Sequence, residues 1–308
     1  MTKSNNLDEL IAKGLVVKGS DASLDMVRVT SGIPQLDAIL GGGYAYGKNV
    51  LCVGPESTGK TIIAQYAVAV QQGLGKRALL IDAEMSFDRE WWALTGVNTD
   101  ELLVSRPPTA EAAIDTIVAM LADKDLGIIV LDSLATLSPA VIQEKGSGQR
   151  TVASLASLIT AMYQKLMPVN KHTIFFAINQ LRDNMDGYED SYPGGRAQRH
   201  NSHIILRTRR EGWIVEKEQR IGYTMEILAK KNKVGAPMGV VSIPFRFNSQ
   251  IDMISSYVNE AVERGFIRNA GPYYYWGEIR WLGKGNVVQH FSENEGDLAA
   301  LKASLGNN

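Results

Sequence analysis

Four short apolar runs alternate with amphipathic segments through the first two thirds of the chain. The apolar runs are Asn49–Val53, Ala78–Ile81, Ile128–Leu131 and Thr173–Ile178. Strands that are apolar on both faces are typical of a parallel sheet covered by helices on both sides. Apolar side chains at helical spacing predict helices at 61–72, 114–121 and 152–166, so that a helix follows each of the first three strands.

The pattern changes after Gly194, where segments of β type predict a strand-rich end to the core. From about residue 250 a new unit begins, in which a helix, an aromatic hairpin-like stretch and a last helix follow one another. We therefore predict three parts: an N-terminal segment at 1–30, an α/β core at 31–249 and a small α+β C-terminal domain at 250–308.

Composition narrows the class of protein. The chain has 308 residues, of which 45% are hydrophobic and 21% charged. These values exclude a disordered chain, a collagen-like repeat and a disulfide-stapled miniprotein. The net charge is -1, so any site for a polyanion must be a local basic patch.

The single cysteine, Cys52, excludes an intramolecular disulfide and favours a cytoplasmic location. It lies in an apolar run, which predicts a buried strand residue. No apolar run reaches the ~20 residues that a membrane span needs, and the first residues show no signal peptide. Four histidines and one cysteine show no zinc-ligand spacing.

The strongest motif follows the first apolar run and fits the P-loop pattern G-x-x-x-x-G-K-[ST] in full. Its residues are Gly54, Pro55, Glu56, Ser57, Thr58, Gly59, Lys60 and Thr61. Backbone N–H groups and a helix N-terminus would surround the phosphates of ATP. Lys60 would reach the β- and γ-phosphates, and Thr61 would bind Mg²⁺. The alternative is a chance glycine-rich turn.

Polar residues also end the other three strands. Asp132 follows the third strand and is predicted to bind the same Mg²⁺, with a helix cap by Asp132 or Ser133 as the alternative. Glu84 follows the second strand and could orient a water molecule toward the γ-phosphate, unless it is a capping carboxylate. Gln180 ends the fourth strand and could contact the γ-phosphate.

A loop-like segment at 181–195 follows Gln180, and loops of this length are usually functional or mobile. Immediately after it, residues 196–210 contain five arginines and no acidic residue. This segment is a candidate basic patch. A solvated helix or strand face is the alternative.

Six motifs, in order, resemble those of the bacterial RecA recombinase family, and the resemblance covers nearly the whole chain after about residue 30. The motifs are GPESTGKT (54–61), IDAEMSFD (81–88), VLDSLATLSP (130–139), AINQLR (177–182), KKNKVGAP (230–237) and AGPYYYWGE (270–278). The resemblance implies a RecA-type P-loop ATPase core. It implies a protein that uses ATP and Mg²⁺ to form helical filaments on single-stranded DNA and to pair it with double-stranded DNA.

The resemblance also implies roles for individual residues. Glu84 matches the catalytic glutamate and Gln180 the γ-phosphate sensor. Trp91 falls where the family has an aromatic residue that stacks on adenine, and Asp88, which ends the motif IDAEMSFD, is a further candidate nucleotide-binding residue. Two lysines match those that reach the ATP of the neighbouring subunit; they are Lys231 and Lys233. Residues 1–30 would then serve in oligomerisation.

The predicted DNA contacts lie in two loops, which by resemblance are residues 143–151 and 182–195. The candidate DNA-binding residues are Arg150, Val152, Arg182, Met185, Gly194, Gly195, Arg196 and Arg199. We predict that Met185 acts as an apolar wedge between bases. A mobile, exposed methionine is the alternative.

Some features depart from the family. The second loop is about three residues shorter and carries four acidic residues, which disfavours phosphate contacts. His200 stands where the family has a phenylalanine that couples ATP to DNA binding. These departures from the family pattern indicate a divergent member, of the kind that a phage or a plasmid would carry.

Two other functions stay open. The segments Ser31–Asp37 and Gly41–Gly43 also resemble KaiC-type and hexameric-helicase ATPases, although the Lys-Asn-Lys motif and the C-terminal domain argue against that class. A non-enzymatic, ATP-gated DNA-binding protein is the other alternative. Retention of Lys60, Thr61, Glu84 and Asp132 together argues against it.

Overall fold

The computed structural model describes residues 5–140, 150–181, 193–247 and 250–306. Within them the helices are α1 (Asn5–Ala12), α2 (Pro34–Leu40), α3 (Lys60–Gly73), α4 (Arg89–Ala93), α5 (Ala110–Met120), α6 (Arg150–Val169), α7 (Ala197–Asn201), α8 (Met253–Glu263), α9 (Lys284–Glu293) and α10 (Glu295–Gly306). The strands are β1 (Arg28–Val29), β2 (Tyr44–Ala45), β3 (Asn49–Gly54), β4 (Arg77–Asp82), β5 (Leu103–Ser105), β6 (Leu126–Asp132), β7 (Ile174–Gln180), β8 (Ile204–Glu216), β9 (Gln219–Asn232), β10 (Val240–Arg246), β11 (Gln250–Ile251), β12 (Arg268–Ala270), β13 (Tyr273–Trp276) and β14 (Ile279–Leu282).

A large mixed sheet organises the core, in the strand order β11-β10-β9-β8-β3-β7-β6-β4-β5. Strands β8, β3, β7, β6, β4 and β5 run parallel to one another, whereas β9 pairs antiparallel with β8, and β10 and β11 continue the sheet in antiparallel pairs. The prediction of a mainly parallel α/β sheet flanked by helices is therefore confirmed. The β-rich pattern after Gly194 forms the antiparallel side of this sheet.

Side chains of β3 alternate between two apolar clusters on opposite faces of the sheet. Val50 and Cys52 join the cluster that contains α2 and α3, and Leu51 joins the cluster that contains α5 and α6. Cys52 is fully buried, as the sequence predicted, and burial raises the pKa of its thiol to about 12. Both faces of β3 are therefore covered, which holds the strand that carries the P-loop rigidly in place.

A third apolar cluster holds the C-terminal part together, and its buried members include Val258 of α8, Phe291 of α9 and Leu301 of α10. The ring of Trp276 contacts Phe291 at a centroid distance of 5.2 Å. Strand β11 still pairs with β10 of the large sheet. The sheet thus extends slightly past residue 249, and the division into three parts stays a prediction.

Among the helices that the structure describes, none combines the length and the apolar character that crossing a bilayer requires.

His203 joins the start of β8 to the start of β3. Its Nδ1 accepts a hydrogen bond from the backbone N–H of Asn49 at 3.1 Å. Burial, together with a smaller effect of the nearby Lys48, lowers the pKa of the imidazole to about 4. The folded protein therefore holds this ring neutral at pH 7.

We expect His203→Gln to flatten the acid-induced loss of stability. The unfolded chain takes up a proton near pH 6.5, whereas the folded chain does so only near pH 4, so stability is lost as pH falls between these values. Allowing for solvent screening around a half-buried ring, we expect about 1–2 kcal/mol of this loss to disappear. Urea unfolding of both proteins at pH 7.5, 5.5 and 4.5 measures the free energy of unfolding at each pH. If this free energy fell equally with pH in the two proteins, His203 would not be the source of the acid sensitivity.

Candidate nucleotide site

The carboxyl ends of four neighbouring parallel strands form one edge of the sheet. In register, Gly54 of β3 pairs with Gln180 of β7, and Asp82 of β4 pairs with Asp132 of β6. A cavity of about 470 Å³ opens at this edge. Its lining residues are Glu56, Ser57, Thr58, Gly59, Lys60, Thr61, Ile62, Glu84, Trp91, Asp132, Gln180, Tyr223, Phe245 and Phe247. Most of the predicted nucleotide-site residues therefore surround a single cavity.

The P-loop turns directly from β3 into α3. Gly59 precedes the helix with a positive φ of 90°, and a Cβ at this position would collide with the sulfur of Met225. The Lys60 ammonium donates to the carbonyls of Gly54 at 3.0 Å and Pro55 at 2.6 Å. Gly54 and Pro55 are not among the residues that line the cavity, and their carbonyls hold Lys60. Burial lowers the pKa of Lys60.

Thr61 and Asp132 form the predicted metal-binding pair. The Thr61 hydroxyl donates to Oδ2 of Asp132 at 2.7 Å. Burial raises the pKa of Asp132 to about 6, and the bond from Thr61 opposes this shift. Mg²⁺ prefers oxygen ligands and usually keeps several waters and substrate phosphate oxygens, so a hydroxyl and one carboxylate suit it. Across the described residues, no group of three or more His, Cys, Asp or Glu side chains is placed to hold a metal.

Glu84 lies beside this pair, with its side chain held by a residue whose role the sequence did not predict. The hydroxyl of Ser133, which is fully buried, donates to Oε1 of Glu84 at 2.6 Å. The backbone N–H of Glu84 donates to the carbonyl of Asp132 at 3.1 Å. Side chain and backbone are therefore both tied to the end of β6, which fixes where the carboxylate points.

Asp82 and Asp88 shape the loop that carries Glu84. Asp82 is buried, accepts a hydrogen bond from the N–H of Ser86 at 2.9 Å and forms an ion pair with Arg106 at 2.8 Å. Asp88 does not line the cavity. Its carboxylate caps α4 by accepting from the N–H of Trp91 at 2.7 Å, so that it positions the helix that carries Trp91.

Aromatic side chains form one wall of the cavity, and only Trp91 was predicted from the sequence. Its ring contacts Phe245 at a centroid distance of 6.3 Å, and Tyr223 contacts Phe245 at 5.3 Å and Phe247 at 6.2 Å. The last three residues come from β9, β10 and the segment after β10, more than 130 residues beyond Trp91. Aromatic faces of this kind suit the stacking of a planar base.

Lys231 and Lys233 lie outside this cavity. Lys231 lies in β9 and Lys233 directly follows it, next to the start of β8 and β3, at the edge of the sheet opposite the P-loop. The six residues of β3 separate these edges, a distance of about 20 Å at ~3.3 Å per residue. Lys233 is exposed, and the Lys231 ammonium donates to the carbonyls of Arg199 at 2.6 Å and His200 at 3.3 Å. Neither lysine can reach the P-loop of its own chain.

The predicted DNA-binding residues divide into two groups. Gly194 and Gly195 form a turn before α7, with Arg196 exposed and Arg199 half-buried behind it. Arg182 and Met185 lie outside the described residues, and so do the side chains of the two candidates at the start of α6, Arg150 and Val152. The structure therefore leaves the roles of these four as predictions.

The predicted basic patch is less positive than its sequence suggested. Strand β9 places Glu226 beside Arg209, where the two side chains form an ion pair at 2.6 Å. The guanidinium of Arg210 lies over the ring of Trp213 at 4.2 Å. The five arginines all lie in residues 196–210, whereas the acidic residue that offsets Arg209 is Glu226 on the neighbouring antiparallel strand β9.

Comparisons with known proteins agree with this geometry. A model of the RecA N-terminal domain matches residues 3–252. Protein RecA of Levilactobacillus brevis is 33% identical over 304 residues, which is 96% of this chain and 80% of that protein. Protein RecA of Bacillus licheniformis is 33% identical over 308 residues, with 97% and 88% covered. Protein RecA of Latilactobacillus sakei is 34% identical over 298 residues, with 94% and 84% covered. The chain therefore belongs to the RecA family.

Proposed function

We propose that this protein is a DNA-dependent ATPase that forms helical filaments on single-stranded DNA and catalyses homologous pairing and strand exchange. Membership of the RecA family supports a function in recombination and DNA repair. The observation that carries the enzymatic part is the single cavity in which the P-loop, Glu84, Asp132 and Gln180 meet.

Within the cavity, each element has a proposed task. The P-loop and Lys60 bind the phosphates, and the aromatic wall holds the base. Mg²⁺, held by Thr61 and Asp132, would neutralise charge on the phosphate oxygens. Glu84, oriented by Ser133, positions the attacking water, because positioning is most of what a protein contributes to phosphoryl transfer.

The position of Lys231 and Lys233 supports a site shared between subunits. Cations near the γ-phosphate stabilise the charge that gathers there in the transition state. Since these lysines lie at the edge opposite their own P-loop, they could serve only the cavity of another protomer. A head-to-tail contact of this kind repeats into an open helix or a ring, as filament formation requires.

We expect single-stranded DNA to stimulate ATP hydrolysis by the purified protein and to support D-loop formation with homologous duplex. Steady-state ATPase assays with and without an oligonucleotide, run beside a D-loop assay, test both. An ATPase rate that is the same with and without DNA would favour the KaiC-like alternative. DNA binding without turnover would favour the non-enzymatic regulator.

A further inference from the structure

Two fully buried amide side chains lie between the end of β7 and helix α7, outside the nucleotide cavity. Asn179 donates from Nδ2 to Oε1 of Gln198 at 2.6 Å and to the carbonyl of Pro193 at 2.9 Å. Gln198 donates from Nε2 to the carbonyls of Pro193 at 2.6 Å and Gly195 at 3.1 Å. We call Asn179 and Gln198, with these two carbonyls, the amide hub.

The hub is tied directly to a residue of the nucleotide cavity. Oδ1 of Asn179 accepts a hydrogen bond from the backbone N–H of Gln180 at 2.9 Å, and Gln180 lines the cavity. One planar amide group therefore holds the backbone of Gln180 on one side and the hub partners on the other. A shift of the Gln180 backbone would therefore be transmitted through Asn179 to the carbonyl of Pro193 and to Gln198.

On its other side the hub holds the turn that precedes α7. Gly194 has a φ of 85°, and a Cβ there would collide with the side chain of Ile159 in α6. A Cβ on Gly195 would lie 3.0 Å from the Cβ of Ala156 in the same helix. The turn is thus packed tightly against α6, so a shift of the turn requires movement of α6 or α7. These elements border both predicted DNA-binding loops.

The members of the hub are expected to move together. An amide left unpaired in a buried site is costly, and both amide groups are paired only while the turn keeps its place. The Ser202 hydroxyl donates to the carbonyl of Gln198 at 2.6 Å, which fastens Gln198 to the end of α7. The arrangement therefore favours a concerted shift over the loss of one bond at a time.

We propose that Asn179 and Gln198 are positioning residues that couple the nucleotide cavity to the Gly194–Gly195 turn, and thereby to affinity for DNA. This inference rests on the proposed function and names a route by which its two sites communicate. Coupling between binding sites is reciprocal. Bound DNA should therefore raise the affinity for nucleotide by the same factor by which bound nucleotide raises the affinity for DNA.

The test compares the unsubstituted protein with Gln198→Met, which keeps an unbranched side chain of similar size but has no amide. Affinity for a fluorescent oligo-dT is measured without nucleotide and with Mg²⁺ and a non-hydrolysable ATP analogue. We expect a coupling factor between about 5 and 150 in the unsubstituted protein, and a factor near 1 in the variant. Affinity for the analogue without DNA should stay within about twofold, because Gln198 does not line the cavity.

Asn170→Ala is the matched control. Asn170 is also a buried amide, but it lies before the start of β7, at the opposite end of the strand from the hub. The control should keep the full coupling factor. A loss of coupling in both variants would overturn the hub in favour of general loosening of the core.

Gln198→Glu separates positioning from packing. Its carboxylate keeps an acceptor for Asn179 but has no donor for Pro193 and Gly195, whereas the protonated acid regains one donor. The coupling factor of this variant should therefore recover as pH is lowered, relative to the unsubstituted protein at each pH. If Gln198→Met does not fold, this recovery decides the question.

Full coupling in Gln198→Met, or no pH-dependent recovery in Gln198→Glu, would overturn the hub and leave the proposed function intact. If the DNA affinity of the unsubstituted protein did not change with nucleotide, both the hub and the proposed function would be overturned.

Discussion

Glu84→Gln should bind ATP but turn it over about 10²- to 10⁴-fold more slowly, the range expected when a group that handles the nucleophile is removed. Gln is nearly isosteric and keeps an oxygen that can accept from Ser133. The variant therefore changes the charge of the group that positions water while leaving the cavity in place. DNA filaments of the variant should last longer, because hydrolysis no longer resets the nucleotide state.

Single-turnover hydrolysis and equilibrium binding of a fluorescent ATP analogue measure the two effects separately. Glu90→Gln is the control, since Glu90 is an exposed carboxylate on α4 that does not line the cavity. Hydrolysis by Glu84→Gln at the rate of the unsubstituted protein would remove Glu84 from the proposed mechanism.

Mixing two inactive variants should restore part of the DNA-dependent ATPase activity. Lys60→Ala lacks a working P-loop but still presents Lys231 and Lys233. The double variant Lys231→Ala, Lys233→Ala has an intact P-loop but presents neither cation. Each alone should be nearly inactive on DNA, whereas a mixed filament contains interfaces with an intact P-loop facing intact lysines.

The rate should peak at an intermediate mixing ratio. Lys230→Ala, altered in the same strand, controls for general damage to the end of β9 and should be active alone. Co-assembly is checked by labelling each variant with a different fluorophore. If the variants share filaments and no ratio restores hydrolysis, the lysines do not complete a neighbouring site.

Local signals in the sequence were sufficient for the centre of the nucleotide site. The P-loop is contiguous, and the apolar strands before Asp132, Glu84 and Gln180 place them at one edge, because carboxyl ends of parallel strands face the same way. The motifs around them also carried the resemblance to the family that the comparisons later showed. The covered, mainly parallel sheet followed from strands that are apolar on both faces.

The sequence could not show contacts between residues far apart in the chain. Tyr223, Phe245 and Phe247 join Trp91 only because the sheet continues as an antiparallel ribbon beyond β8. The same ribbon brings Glu226 to Arg209, which reduces the charge of a segment that reads as purely basic. No short stretch of the sequence signals either contact, because pairing between antiparallel strands depends on strand register and not on spacing along the chain.

The sequence by itself determined the order of elements and the chemistry at the strand ends, since both arise from periodicity and from contiguous motifs. Only the tertiary structure decided what surrounds that chemistry. It placed Lys231 and Lys233 at the edge away from their own P-loop and buried Asn179 against Gln198. The physical reason is that a strand's direction and neighbours are set by long-range packing, and these decide which end of the sheet a side chain reaches.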